Sequence, residues 1–166
     1  MENIYSEVKI EGLPKMRVAK YEASSHTPED DVMNFMEKWK NESGLMDVKD
    51  YTTRSFGWDV AVKDEVLKNN PDYRGYALCT TLPEGFTPKI EGVEITHIEA
   101  DEYAVMQITE PFVNPFERIP GGWQKLSDYF QIEDCRTISS DGRYWMEEVV
   151  VVDGVTFMNI YFPMVK

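Results

Sequence analysis

Apolar and polar residues alternate from Met16 to Ala23 (MRVAKYEA), and a period of two is what a strand with one buried face requires. The alternation stops at SSHTPED. There Thr27 reads as a helix cap, Pro28 suits the first helical position, and Asp30 stands three residues after the cap, close to a capping box. Val32, Phe35, Met36 and Trp39 then recur at spacings of three and four, so a single apolar stripe runs along an amphipathic helix that Gly44 is placed to stop.

Residues 53–62 (TRSFGWDVAV) and 73–82 (YRGYALCTTL) read as strands on either side of a polar connection, and PEGFTPKIEG ends the second with turn formers. The stretch from Val93 to Ile108 reads as two strand segments around the acidic run Glu99 to Glu102. Asn114-Pro115 and Pro120-Gly121-Gly122 punctuate the chain, and a helix with Trp123, Leu126 and Phe130 on one face is expected after them. RYWMEEVVVV, an Asp153-Gly154 turn and TFMNIYFPMV close the chain as a hairpin. Strand, helix, strand, strand thus occurs twice. This order predicts an α+β fold of duplicated strand-helix-strand-strand units, with two helices packed on mostly antiparallel sheet. The 166 residues suit one domain, with pseudo-repeats at about 13–92 and 93–166.

The strand RYWMEEVVVV poses the chemical question. Its four valines suit a buried strand, yet Glu147 and Glu148 sit side by side within it. Adjacent strand residues point to opposite faces, so one carboxylate must look inward if helices cover one side. Apolar neighbours flank both, and periodicity does not choose between them. An inward carboxylate needs a partner or a proton, and an Arg or Lys such as Arg74, Arg136 or Arg143 would supply the partner. With 13% of the chain aromatic, a carboxylate ringed by aromatic faces would suit an organic cation, since Coulomb attraction and cation–π contacts then act together.

Composition narrows the classes. A mean hydropathy of -0.44, no apolar run near twenty residues and an N-terminus without signal-peptide character lead us to expect no membrane association and a cytoplasmic location. Cys79 and Cys135 stand far apart without a CxxC or clustered histidines, so buried free thiols are expected, with no metal and no cofactor. His26 and His97 read as surface or structural residues. A formal net charge of -13 opposes direct nucleic-acid binding and is compatible with a cationic ligand.

Four segments carry a resemblance to the GyrI-like small-molecule-binding domain, also called the AraC-type effector-binding domain, found in multidrug-sensing bacterial regulators and as free-standing proteins. They are RVAKYEASSHTPEDDVMNFMEKW, YRGYALCTTLPEG, EADEYAVMQITEPF followed by GGWQKLSDYF, and the ending IYFPMVK. The resemblance covers about residues 13–166. It implies two units related by pseudo-twofold symmetry and a ligand groove between them, lined by aromatics and holding a glutamate from the penultimate strand. Counting back from the Asp153 turn puts that glutamate on Glu148. A slip of one residue would put it on Glu147, so both remain candidates. The chain departs from the family where Asp101-Glu102 replaces Gly-Gly and Glu110-Pro111-Phe112 replaces Gly-Pro-Tyr.

The expected function is binding of a hydrophobic or cationic aromatic small molecule. Glu148 or Glu147 would be the counter-charge, with Trp39, Phe56, Trp58, Tyr76, Tyr103, Phe112, Trp123 and Tyr144 as candidate walls. Trp39 and Trp123 also suit helix-to-sheet core. The alternatives are a hydrolase acting on electrophilic cyclopropanoid aromatics and an acidic inhibitor of a DNA-binding enzyme such as gyrase, which would make a protein the partner. No nucleophile-base-orienter set stands out, so binding ranks ahead of turnover and no catalytic residue is assigned. Nothing in the sequence fixes the oligomeric state.

Overall fold

The computed structural model describes residues 3–62, 64–65, 68–130 and 144–164. Cys135, Arg136 and Arg143 lie outside the described residues. In chain order the elements are β1 (Lys9–Leu13), β2 (Met16–Ser25), α1 (Pro28–Glu42), β3 (Ser55–Val60), β4 (Arg74–Thr81), β5 (Glu94–Ile98), β6 (Asp101–Thr109), α2 (Pro115–Phe130), β7 (Met146–Val152) and β8 (Val155–Pro163). The architecture is α+β. The chain divides into a unit of Lys15–Glu99 and a unit of Met1–Pro14 with Ala100–Lys166.

In the first unit the strand order is β3-β4-β2-β5, every pair antiparallel. Helix α1 places Val32, Met36 and Trp39 in the interior, and Phe35 stacks on Tyr21 with ring centroids 3.7 Å apart. Met36, Trp39 and Leu45 pack with Ala19 and Leu82, so this sheet face is covered by α1. The helix start differs from the expected capping box. Thr27 makes no side-chain cap bond and its hydroxyl turns to Asp31, while its own N–H donates to Ser25 Oγ at 3.0 Å. Three acidic residues in the first turn still complement the positive end of the helix. Gly44 stops it as expected, at φ 89, a conformation costly to a residue with a Cβ.

In the second unit the order is β1-β6-β8-β7, again antiparallel. Strand β1 was not foreseen. It is a short, mostly exposed edge whose charged residues give weak periodicity. Helix α2 starts earlier than expected and runs through Pro120-Gly121-Gly122. The glycines serve close approach instead of termination. A Cβ on Gly122 would lie 2.7 Å from Ile108 Cδ1, and one on Gly121 would collide with the Tyr5 hydroxyl, which donates to the Arg118 carbonyl at 2.9 Å. Pro120 removes one intrahelical donor, and the carbonyl that loses it belongs to Phe116, a 93% exposed residue within reach of water. Trp123 and Leu126 close a core with Ala104, Met106, Ile108, Met158, Ile160 and Phe162. Glu110 takes φ 47, its N–H donating to the Thr156 carbonyl and its own carbonyl accepting from Arg118 Nη1.

The β7–β8 hairpin turns at Asp153-Gly154, as read from the sequence, with both residues at positive φ. Its burial reverses the expectation. Met146 and Glu148 are buried, whereas Val149, Val151 and Val152 are exposed at 41%, 66% and 54%. The run of valines is therefore a twisted hairpin end open to solvent, where β-branched residues favour strand geometry without needing a core.

Candidate functional site

Register assigns each glutamate to a face. Glu147 lies opposite Ile160, a member of the core under α2, so it belongs to the helix side, as does its neighbour Trp145. Glu148 lies opposite Asn159 and shares the other face with Met146, Tyr161, Tyr103, Val105 and Gln107. Glu148 is 3% exposed and Glu147 half-buried. The buried acid is thus the one that faces away from the helix.

Hydrogen bonds hold Glu148 in place. The Tyr161 hydroxyl donates to Glu148 Oε1 at 2.6 Å, and Asn159 Nδ2 donates to the same oxygen at 3.3 Å. Gln107 Nε2 in turn donates to Asn159 Oδ1 at 3.0 Å. The Tyr161 ring meets Tyr103 edge-on, centroids 5.8 Å apart. Donors converging on the carboxylate fix its rotamer, and the Tyr161 and Tyr103 rings lie beside it. Chemically this is an oriented, largely dry acceptor suited to a cation or to a donor-bearing ligand.

The other candidates fall into separate surroundings. Tyr144 is half-buried just before β7. Phe56 and Trp58, buried on β3, lie opposite Cys79 and Ala77 on the face of the first unit away from α1. The Arg54 guanidinium sits 4.9 Å over the Phe56 ring. Tyr76 lies on the α1 side, draped over Gly57, where any Cβ would strike its ring. Trp39 and Trp123 are in the helix-to-sheet cores, and Phe112 is 52% exposed in the turn before α2.

Burial pushes the Cys79 thiol far above its ordinary pKa, so it stays protonated and is no nucleophile. His26 and His97 are exposed. Among the described residues no cluster of His, Cys, Asp and Glu is arranged to hold a metal ion. No helix among them is long and apolar enough to cross a membrane.

Sequence reasoning missed Tyr161, Asn159 and Gln107. For the first two a signal existed. A two-residue turn at Asp153-Gly154 sets Val152 against Val155, and counting back brings Glu148 opposite Asn159 and Met146 opposite Tyr161. Gln107 joins only through the pairing of β6 with β8, which nothing local announces.

No family model matches the chain, and no curated protein matches it in sequence. Solved structures do share its fold. The EcmrR C-terminal domain matches with a TM-score of 0.64 at 11% identity, over 99% of both chains. SAV2435 bound to tetraphenylphosphonium matches with a TM-score of 0.57 at 11% identity, over 95% of this chain and 93% of that one. EcmrR in its complex with DNA matches with a TM-score of 0.62 at 12% identity. The alignment covers 96% of this chain, which spans 57% of the length of EcmrR.

Proposed function

We propose that the chain is a GyrI-like binding protein for amphipathic, cationic aromatic small molecules, with Glu148 as the counter-charge and Tyr103 and Tyr161 as aromatic neighbours. The observation that carries this reading is the buried Glu148 carboxylate, oriented by Tyr161 and Asn159 on the sheet face away from α2. A buried carboxylate with a fixed rotamer offers a charge-assisted acceptor to a positive guest. The shared fold with a protein solved bound to tetraphenylphosphonium supports the ligand class. A strand-helix-strand-strand run occurs in each unit, β2-α1-β3-β4 and β6-α2-β7-β8, and supports reading them as two copies of one design. Direct contact with nucleic acid is not part of the proposal, because a net charge of -13 repels phosphate.

Titration with tetraphenylphosphonium, followed by calorimetry, tests the reading. Glu148→Gln is expected to weaken binding by about tenfold or more, equivalent to about 1.4 kcal/mol, while Glu147→Gln stays close to the parent. Equal affinity in Glu148→Gln and the parent, or no binding by the parent, would remove Glu148 as the counter-charge of such a site.

A further inference from the structure

Gln107, Asn159 and Glu148 stand directly across from one another on three adjacent strands, β6, β8 and β7. One polar chain joins them, with Gln107 Nε2 donating to Asn159 Oδ1 at 3.0 Å and Asn159 Nδ2 donating to Glu148 Oε1 at 3.3 Å. A carboxamide has one donor end and one acceptor end, whereas a carboxylate only accepts. The two orientations of the Asn159 amide have nearly the same shape, so packing does not distinguish them. Hydrogen bonding does. Asn159 can offer its NH2 to Glu148 only when its carbonyl points the other way, and Gln107 supplies the donor that meets that carbonyl.

From this polarity we infer that Gln107 is a positioning residue: it sets the Asn159 amide toward Glu148 and thereby helps determine the preference of the site for charged over neutral guests. The inference rests on the proposal that Glu148 is the counter-charge of a ligand site. Without Gln107 the Asn159 carbonyl loses its donor, and the amide is held toward Glu148 by its single bond of 3.3 Å alone. The amide then swings away more readily, and Glu148 loses part of what fixes its rotamer. A less fixed carboxylate weakens a cation more than an uncharged molecule of the same bulk.

The test compares the parent chain with Gln107→Met, Asn159→Leu and the double variant, using tetraphenylphosphonium as the charged probe and triphenylphosphine oxide as the neutral one. Relative to the oxide, phosphonium binding is expected to weaken about tenfold in Asn159→Leu and about threefold in Gln107→Met. Gln107→Met should add nothing once Asn159 is leucine, because Gln107 acts through that amide. A phosphonium-to-oxide ratio in Gln107→Met equal to that of the parent, or the same loss persisting in the Asn159→Leu background, overturns the inference. A ligand-free readout separates this idea from the ligand reading. The Asn159 side-chain NH2 resonances, identified by their absence in Asn159→Leu, should shift and exchange faster with solvent in Gln107→Met. Unchanged resonances overturn the positioning role whether or not the phosphonium binds. Shifted resonances with no phosphonium binding in any form sustain the role and reject the ligand class.

Discussion

The two units put different chemistry on comparable faces. Each has one sheet face closed by a helix over an apolar core. On the other face the Lys15–Glu99 unit presents Phe56, Trp58, Ala77 and Cys79, with its charged residues Lys20, Glu22 and Glu94 joined in ion pairs nearer the edge. On its corresponding face the unit containing Ala100 to Lys166 has Gln107, Asn159, Glu148 and Tyr161 in a hydrogen-bonded set. A helix-covered antiparallel sheet therefore carries a dry aromatic surface in one unit and an ordered polar one in the other. Architecture sets where side chains point, and only their identities decide what they can bind.

The largest effect expected from this contrast is in packing. Phe56 is fully buried, so Phe56→Ala should cost about 3–5 kcal/mol in urea denaturation, the range for emptying an aromatic site. A loss below about 1 kcal/mol would show that the aromatic face is not core-like.

On the polar face the expected effect is smaller. Tyr161→Phe removes the hydroxyl donor to Glu148 while keeping the ring, and should cost about 1–3 kcal/mol near neutral pH. An unchanged denaturation midpoint would mean that the polar set contributes nothing to stability.

The subtlest difference is in alkaline behaviour. With its folded-state pKa raised by burial, the Cys79 thiol keeps a proton that the unfolded chain releases. Its contribution is therefore complete below the ordinary thiol value of 9.0 and is lost as pH rises beyond it. The decline is at most about 1.4 kcal/mol per pH unit. Stability compared at about pH 8 and about pH 10 should fall less in Cys79→Ala than in the parent. Equal slopes would contradict the dryness of that face.

Local pattern carried much of this fold. The stripe of Val32, Met36 and Trp39, the left-handed stop at Gly44 and the turn at Asp153-Gly154 were all readable, because each depends on neighbours within a few residues. Pro120-Gly121-Gly122 was misread as a break. Its glycines answer to Tyr5 and Ile108, residues far away in sequence. The valines of β7 misled for a related reason: β-branching reports strand conformation, and burial depends on what other elements cover.

For the candidate site, the sequence by itself determined that two adjacent carboxylates on a strand must part to opposite faces, and the hairpin turn already contained the register that pairs Glu148 with Asn159. Tertiary structure alone decided which face α2 would cover, and that Glu148, on the opposite face, would be the buried acid. It alone brought Gln107 into line with the other two. The alignment of Gln107 depends on the pairing of β6 with β8, a long-range choice that no short window of residues encodes.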